Sequence, residues 1–494
     1  MSSGPDPDPD PDPDADAGSP RTAEFLDRAR ELATLRELQR RPKAQFVAVH
    51  GRRRIGKTSL LVRWLAQTKG RAVYWVADRS TSAVLLRKFS QALQPLLDTA
   101  DPEFSFSSWE AALAAVARLA DKAPLALVID ELPYLLESVP AFASLLQASW
   151  DHALKRSRLC LVVAGSHYHM MQSTFASPRG ALYGRTTADL NVGEVGLAEM
   201  ALFLPAYSPV QLVEAYSVIG GVPQYLGLWN DRQPVLRNVR ELLRSPASMF
   251  RDEPAFLIHD EIADPRTYLA ILEGLGGGAR RPVDVARTTG VQLAHIGKYL
   301  RTLESLRFVR RIVSVDAPGA RATRRARYEV RDAYLRFHFA FVQPNLRLLE
   351  QERIDRFMEL VRGEFDAYVG RVGYEEVCRR HIAGLADRQE LPFELLEVGR
   401  LWDGRTEIDV AALDRRSRSA LVGECRWRGA RMSEAVLDEL HRKAAALPAL
   451  RGFHVHHALF SRAGFTAGLE QRAKREGVLL VEGVPGMRPT RARR

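Results

Sequence analysis

The sequence predicts an α/β protein with a parallel β-sheet core, and three observations support this fold class. Short apolar runs alternate with amphipathic helical stretches from about residue 20 to 205, a pattern typical of a parallel sheet with helices on both faces. A glycine-rich loop joins the first strand of this series to its helix, and another strand ends in two acidic residues. Strands and helices alternate again between about residues 346 and 484, so the chain of 494 residues contains at least two α/β units.

The loop after the first strand has the phosphate-binding pattern G-x-x-x-x-G-K-[ST]. It reads HGRRRIGKTS from His50 to Ser59, between the apolar run 46–49 and the amphipathic stretch 60–67. Its glycines let the backbone come close to an anion, so that N–H groups and the helix N-terminus can bind phosphates. We expect Lys57 to reach the β- and γ-phosphates of a nucleotide and Thr58 to give its hydroxyl to Mg²⁺.

The apolar run 125–129 ends in the acid pair Asp130 and Glu131. Such a run indicates a buried parallel strand, at whose carboxyl end Asp130 would hold Mg²⁺ through water. Glu131 would polarise the water that attacks the γ-phosphate. In the plainer alternative, the two acids cap the next helix. The loop and the acids together predict Mg-ATP binding with hydrolysis, although they do not distinguish ATP from GTP. The predicted nucleotide-binding residues are Gly51, Arg52, Arg53, Arg54, Ile55, Gly56, Lys57, Thr58, Ser59 and Asp130.

The composition indicates a basic protein of a reducing compartment. The net charge is +11 and the isoelectric point is near 9.7, which favours a polyanionic partner, although nucleotide alone explains part of the balance. The three cysteines have neither disulfide nor zinc spacing, which fits the cytoplasm. The sequence shows no apolar run of membrane-spanning length and begins with a Pro/Asp repeat rather than a signal peptide, so we expect no membrane association.

The pattern divides the chain into six segments. We expect a disordered Pro/Asp repeat (1–19), the parallel-sheet core (20–205), a helical lid (206–262), a winged helix-turn-helix (263–345), a second α/β domain (346–484) and a basic tail (485–494). The winged helix is predicted from three short helices (268–272, 282–288 and 294–303) followed by two strands (309–315 and 327–330).

Several motifs resemble those of the archaeal-type ATPase family, which belongs among the AAA+ and STAND-like P-loop NTPases. The matching pieces are Phe25-Leu26-Asp27-Arg28, the loop with its three arginines, Asp130-Glu131-Leu132-Pro133-Tyr134, Leu182-Tyr183-Gly184-Arg185 and Gly220-Gly221-Val222-Pro223. The resemblance covers about residues 22–484. It implies a P-loop NTPase core, a lid, a winged helix and a restriction-endonuclease-like C-terminal domain, with a homo-oligomer or protein partners as further expectations.

The resemblance also implies roles for single residues. Ser166 is similar to the sensor-1 residue that orients the attacking water, and Arg185 to a γ-phosphate sensor or an arginine finger from a neighbouring subunit. With Lys57 and Glu131 they form the predicted catalytic set. The alternatives are a small polar residue that ends a strand and a surface arginine. Gly220, Gly221 and Pro223 resemble the nucleotide-sensing hinge of the lid, or simply end a helix.

Basic residues of the predicted winged helix favour DNA binding over a solvated protein-contact face. They are His295, Lys298 and Arg301 on the recognition helix, and Arg310, Arg311, Arg321, Arg324, Arg325 and Arg327 on the wing. Such cations suit phosphate contacts, which carry no sequence information.

In the C-terminal domain, the resemblance to restriction-endonuclease-like folds makes Asp409 and Glu424 a second Mg²⁺ site, with Glu375 on the preceding helix. Arg426 stands where that pattern has lysine, and an arginine cannot act as a base. A weak metal-dependent nuclease and a binding or scaffold domain therefore both stay open. For the whole chain we expect an ATPase that couples nucleotide state to DNA; the alternatives are a STAND-like switch acting through protein partners, and a nuclease with a regulatory ATPase domain.

Overall fold

The computed structural model describes residues 28–97, 99, 101, 103–245, 248–317, 326–391, 397–404 and 406–487. The predicted Pro/Asp repeat, the basic tail from residue 488 and the wing arginines Arg321, Arg324 and Arg325 lie outside this part of the chain.

The first domain is built on a parallel sheet of five strands in the order β2-β3-β4-β1-β5. The strands are β1 (Gln45–His50), β2 (Arg71–Val76), β3 (Leu125–Asp130), β4 (Leu159–Gly165) and β5 (Ala188–Asn191). In register, His50 lies beside Gly165 and Val76 beside Asp130, so the carboxyl ends of the strands meet at one edge. The surrounding helices are Ala29–Arg40, Lys57–Ala66, Ser82–Leu93, Trp109–Lys122, Leu132–Ser138, Phe142–His152, Tyr168–Met171 and Leu197–Phe203.

The continuous apolar runs are explained by burial on both faces of this sheet. Every residue of β1, β3 and β4 is buried. Along β1, Phe46 and Ala48 belong to one apolar core, while Val47 and Val49 belong to the core on the opposite face. Side chains of a strand point alternately to the two faces, so a strand covered by helices on both sides needs apolar residues at every position.

The lid comprises the helices Pro209–Ile219, Pro223–Gly227, Val235–Arg244 and Met249–Glu261. The first of them begins with a capping box, in which Ser208 and Gln211 satisfy each other's backbone N–H groups. The lid shares one apolar core with a face of the first sheet and with the C-terminal domain. Tyr368 of the C-terminal part also donates a hydrogen bond to the carbonyl of Ser217 at 3.2 Å. The lid is therefore packed between the two α/β domains.

After the lid come three helices and a two-stranded antiparallel hairpin, which we call the hairpin unit (residues 266–330). The helices are Arg266–Gly276, Pro282–Thr289 and Leu293–Ser305, and the strands are β6 (Val309–Ile312) and β7 (Arg327–Val330). This unit has an apolar core of its own, to which Ile271, Ile296 and Val309 contribute. Helix Ala333–Phe337 and a π-helical turn, His338–Val342, follow.

The C-terminal domain has a mixed sheet in the order β12-β11-β10-β9-β8. Its strands are β8 (Val398–Asp403), β9 (Thr406–Asp414), β10 (Ser419–Arg426), β11 (His454–Ser461) and β12 (Leu479–Glu482); β8, β9 and β10 pair antiparallel, whereas β10, β11 and β12 pair parallel. Its helices are Leu346–Glu350, Ile354–Val369, Glu375–Asp387, Glu434–Ala446 and Ala467–Glu476. Nothing in the described ranges is both long and apolar enough to be a membrane-spanning helix.

The helices Ile354–Val369 and Glu375–Asp387 of the C-terminal domain are joined by the π-helical turn Gly370–Tyr374. A β-carbon at Gly373 would lie 2.1 Å from the hydroxyl of Ser217, so close packing against the lid requires glycine in this turn.

Candidate nucleotide-binding site

The glycine-rich loop lies at the carboxyl edge of the first sheet and ends in a helix. Gly56 has φ 88° and forms the N-cap of helix Lys57–Ala66, a left-handed conformation that glycine adopts without strain. A β-carbon on Gly51 would lie 2.4 Å from the carbonyl oxygen of Val192. Both glycines are thus required by the backbone, and the first N–H groups of the helix have no partner within the helix. The arrangement can bind an anion such as a phosphate.

Lys57 folds back into the loop. Its Nζ donates hydrogen bonds to the carbonyls of Gly51 at 2.8 Å and Arg52 at 3.1 Å, and the side chain is buried. Burial lowers the pKa of Lys57, an effect that the negative charges of Glu131 and Asp130 oppose. Phosphate oxygens are stronger acceptors than carbonyls for an ammonium group. The Lys57 side chain is therefore placed to replace its hydrogen bonds to the carbonyls with hydrogen bonds to the phosphates of a nucleotide.

Thr58 and Asp130 form the oxygen pair expected of a Mg²⁺ site. The Thr58 hydroxyl donates to Asp130 Oδ2 at 2.8 Å, and Tyr74 donates to the same oxygen at 2.6 Å. Burial, followed by the charge of Asp130, raises the pKa of Tyr74. A hydroxyl beside a carboxylate fits Mg²⁺, which prefers hard oxygen ligands and usually takes its others from water and phosphates. The described ranges contain no cluster of three or more histidine, cysteine or acidic side chains that could hold a metal.

Glu131 and Ser166 meet across two neighbouring strands. Glu131 follows β3 and has a left-handed backbone (φ 51°), which is uncommon for a residue with a side chain. Ser166 follows β4, and its hydroxyl lies 3.0 Å from Oε1 and 2.9 Å from Oε2 of Glu131. The structure therefore brings together the predicted catalytic acid and the predicted sensor residue.

The three arginines of the loop, which we call the loop arginines, form ion pairs with other parts of the chain. Each of them pairs with an acid from outside the parallel-sheet domain. Arg52 pairs with Asp332, Arg53 with Asp260 at 3.0 Å, and Arg54 with Glu253 at 2.7 Å. Asp260 and Glu253 lie on the lid helix Met249–Glu261, and Asp332 follows the hairpin unit. These acids already neutralise the three guanidinium groups, and nucleotide contact by the side chains stays a prediction.

The hinge motif of the lid lies beside the loop, whereas Arg185 does not. A β-carbon at Gly56 would lie 3.9 Å from Pro223, and one at Gly221 would lie 1.8 Å from the carbonyl oxygen of Val195. Arg185 pairs with Asp151 at 2.9 Å. It precedes Thr187, whose N–H bonds to the carbonyl of Phe46 near the start of β1. Arg185 is therefore at the amino edge of the sheet, opposite its own phosphate loop, and only a finger role in a neighbouring subunit stays a prediction.

The basic residues of the hairpin unit divide into two groups. His295, Lys298 and Arg301 are exposed on helix Leu293–Ser305, and Arg311 lies 3.7 Å from Glu304 at the surface. Arg310 instead pairs with Glu329 at 3.2 Å and with Glu376 of the C-terminal domain at 3.6 Å. Neighbouring strand residues point to opposite faces, so Arg310 and Arg311 lie on different faces of the hairpin, and contact of Arg310 with DNA stays a prediction.

The acids of the C-terminal domain have a partner that the sequence did not indicate. Lys443, on helix Glu434–Ala446, donates to Glu424 at 3.0 and 2.9 Å. Arg426 also pairs with Glu424. Asp409 accepts the N–H of Cys425 at 3.0 Å, and burial, Glu375 and Glu424 together raise the pKa of Asp409 to about 8. Glu375 pairs with Arg400 at 3.0 Å, and Glu407 with Arg327 at 2.7 Å.

The sheet order and the loop together define the class of the protein as a P-loop NTPase, which confirms the predicted fold class. Residues 25–228 match the family described as an ATPase domain predominantly from Archaea, and residues 338–437 match archaeal and bacterial proteins of unknown function. Residues 25–228 thus match an archaeal ATPase domain, as the motifs predicted.

The chain is also similar to individual proteins. An uncharacterized protein of Methanocaldococcus jannaschii is 27% identical over 440 residues, which cover 89% of this chain and 95% of the relative. The solved Walker-type ATPase of Pyrococcus abyssi is 16% identical with a TM-score of 0.50, and the likeness covers 64% of this chain and 96% of that one. The ORC2 protein of Aeropyrum pernix is 14% identical with a TM-score of 0.41, over 68% of this chain and 94% of that one. The structural likeness to the Pyrococcus abyssi protein shows the fold alone.

Proposed function

We propose that this protein hydrolyses Mg-ATP and that its nucleotide state controls binding to DNA. The observation that carries the proposal is the convergence of Lys57, the Thr58–Asp130 pair and the Glu131–Ser166 pair at one edge of the sheet. Glycine-loop N–H groups and Lys57 bind the phosphates. Mg²⁺, when bound by Thr58 and Asp130, neutralises charge on the β- and γ-phosphates. Glu131 then accepts a hydrogen bond from the attacking water.

Hydrolysis requires a change in the Glu131–Ser166 pair. The carboxylate that would orient water accepts hydrogen bonds from Ser166 through both of its oxygens. A water positioned for in-line attack needs one of these oxygens as acceptor. Ser166 would then keep the other oxygen and hold the carboxylate in place. This assigns Glu131 the acceptor role and Ser166 the positioning role.

The DNA part of the proposal rests on exposed cations. His295, Lys298 and Arg301 are exposed, and no partner for their side chains occurs among the described residues. Residues at such spacing lie about one turn apart on a helix, which places the two permanent charges on one face. Phosphate contacts of this kind would bind duplex DNA without sequence preference. The loop arginines supply the link, since they join the phosphate loop to the lid and to Asp332 next to the hairpin unit.

The test is ATP hydrolysis with Mg²⁺ by the full chain, with and without duplex DNA. Turnover that rises with DNA, and loses this rise when His295, Lys298 and Arg301 are all changed to Gln, supports the proposal. The matched control is Arg266→Gln, which removes an exposed cation elsewhere in the unit. Slow turnover with tightly held ADP and no response to DNA would contradict DNA coupling and favour a nucleotide-held switch that acts through protein partners.

A second candidate function is a metal-dependent nuclease in the C-terminal domain, and Lys443 is the observation that favours it. The ammonium group of Lys443 contacts Glu424. A lysine is therefore present beside the acids, although Arg426 occupies the strand position where the nuclease pattern has lysine. Asp409 and Glu424 would hold Mg²⁺, which polarises a phosphodiester. Burial alone would lower the pKa of Lys443. The hydrogen bond to Glu424 and the negative charge of Glu424 outweigh burial and raise this pKa. Lys443 therefore acts here as a cation that stabilises charge on the phosphate.

This candidate is tested by Mg²⁺-dependent cleavage of plasmid DNA. Asp409→Ala and Lys443→Ala should each abolish cleavage, while Lys474→Ala, on the neighbouring helix Ala467–Glu476, should not. Cleavage that survives Asp409→Ala would come from a contaminant. If the wild type does not cleave, a binding or scaffold role for the domain follows.

A further inference from the structure

A cavity separates the phosphate loop from the hairpin unit. It has a volume of about 460 Å³. Gly51 and Arg53 of the loop and Ser166 line one side, while Arg307 and Arg331 line the other. Because Ser166 bonds to Glu131, this side of the loop is where the attacking water of the proposed reaction would lie. The cavity therefore borders the side of the loop on which Ser166 lies.

Three of the arginines in this cavity, Arg307, Arg331 and Arg336, have no carboxylate partner within the described ranges, and the first two are the ones nearest the hairpin unit's strands. Arg307 donates to the amide oxygen of Asn191 at 3.2 Å and stacks on Tyr168, with 4.3 Å from its guanidinium carbon to the ring centre. Arg331 is exposed toward solvent and has no hydrogen bond or ion pair from its side chain among the described residues. The other arginines lining the cavity near the loop, Arg52 and Arg53, are both paired with acids.

The unpaired arginines repel each other. Desolvation, followed by the charges of Arg307 and Arg310, lowers the pKa of Arg331, while Glu194 acts in the opposite direction. Guanidinium groups that lie together on one wall of a cavity are stabilised by an anion that bridges them, and they match phosphate geometry well. Arg307 also has a left-handed backbone, with φ 62°, at the turn between helix Leu293–Ser305 and β6.

We propose that Arg307 and Arg331 bind the terminal phosphate of ATP from within the same chain. This inference rests on the proposed nucleotide function and adds the residues that distinguish a triphosphate from a diphosphate. Both arginines belong to or adjoin the hairpin unit, so the unit would be drawn toward the loop only while the γ-phosphate is present. The role is one of sensing and positioning, and it differs from that of the loop arginines, whose charges are already neutralised by acids.

The experiment compares two affinities of the full chain, for Mg-ADP and for a Mg-bound ATP analogue with a β,γ-imido bridge, by titration calorimetry. The wild type should bind the analogue more tightly than ADP. Arg307→Gly and Arg331→Gln should each reduce this preference about tenfold, as expected for a charge-assisted hydrogen bond, and leave ADP affinity unchanged. Arg307→Gly is chosen because glycine adopts the left-handed backbone without strain, so the variant should keep its thermal midpoint.

The control is Arg287→Gln, an exposed arginine of the same unit that pairs with Asp284. It should keep the wild-type preference. A wild type without a preference for the triphosphate analogue, or variants that both retain the preference, would overturn the role of Arg307 and Arg331 while ADP binding still supports the loop. A wild type that binds neither nucleotide would overturn the proposed function itself.

Discussion

The hydroxyl of Ser166 lies 2.9 Å from Oε2 and 3.0 Å from Oε1 of Glu131, and the backbone N–H of Ser166 also donates to Oε2, at 3.3 Å. One serine thus holds both oxygens of the acid that would orient the attacking water. The backbone of Glu131 is also in the left-handed conformation. Such conformations concentrate at functional sites, where the surrounding structure enforces them.

Ser166→Ala should lower the rate constant for ATP hydrolysis at least tenfold, because Glu131 loses the group that positions it. Affinity for ATP should stay within about twofold, since Ser166 does not contribute to the glycine loop. Steady-state kinetics separate these two effects. Ser173→Ala, an exposed serine on the following helical segment, is the matched control and should behave as wild type. An unchanged rate constant in Ser166→Ala would remove the positioning role.

Arg54→Gln should destabilise the protein by about 3 kcal/mol, because it leaves the buried carboxylate of Glu253 without its cation. Tyr225 still donates to Glu253 at 2.6 Å, but a neutral donor does not replace the charge. The double variant Arg54→Gln with Glu253→Gln should recover most of the loss. Urea unfolding of the wild type, both single variants and the double variant gives the coupling energy. Additive effects would show that the pair does not link the loop to the lid.

Arg185 lies at the sheet edge opposite its own loop, so it can act only on the phosphate loop of a neighbouring subunit. Arg185→Ala should therefore lose ATP hydrolysis because the neighbouring loop lacks its arginine. Mixing Arg185→Ala with Lys57→Ala protein should therefore restore activity, since one subunit supplies an intact loop and the other an intact arginine. Neither protein alone should be active. The measurement is ATPase activity against mixing ratio. Full activity of Arg185→Ala alone would show that Arg185 is a surface residue paired with Asp151.

The stability of the protein should fall between about pH 6.5 and 4 partly through His338. Burial lowers the pKa of His338 to about 4, and its ring lies 3.2 Å from the amide oxygen of Gln343. An unfolded histidine has a pKa of about 6.5, so the unfolded chain takes up the proton first as the pH falls. The stabilisation is complete above that pH, and about 1 kcal/mol of it is lost at pH 5.5. His338→Leu should show a smaller change in urea midpoint between pH 7.5 and 5.5 than the wild type. Equal changes would contradict this assignment.

Local patterns predicted the first domain well, because a phosphate loop, a buried strand with terminal acids and the alternation of strand and helix are short-range signals. The loop arginines show that such short-range signals do not reveal contacts between segments that are distant in sequence. Their acids lie on the lid helix and after the hairpin unit, and Asp332 is distant in sequence from Arg52. No periodicity links the two segments, so the sequence did not indicate the ion pairs by which these side chains join domains.

The same limit applies to the C-terminal acids. Lys443 reaches Glu424 from a helix whose sequence reads as an ordinary amphipathic segment, and only the packing of that helix on the sheet brings the lysine to the carboxylate. Arg310 is different, because its pairing follows from a pattern that the sequence does contain. Adjacent residues of a strand face opposite sides, so Arg310 and Arg311 lie on different faces of the hairpin. The sheet register shows Arg310 opposite Glu329.

The central claim, that this loop and acid pair hydrolyse ATP, is tested most directly by Mg-ATP turnover of the wild type beside Lys57→Ala and Glu131→Gln. The account predicts turnover by the wild type, loss of both binding and turnover in Lys57→Ala, and tight ATP binding without turnover in Glu131→Gln. A wild type that binds ATP but does not turn it over, or a Glu131→Gln variant that hydrolyses ATP at the wild-type rate, would contradict it.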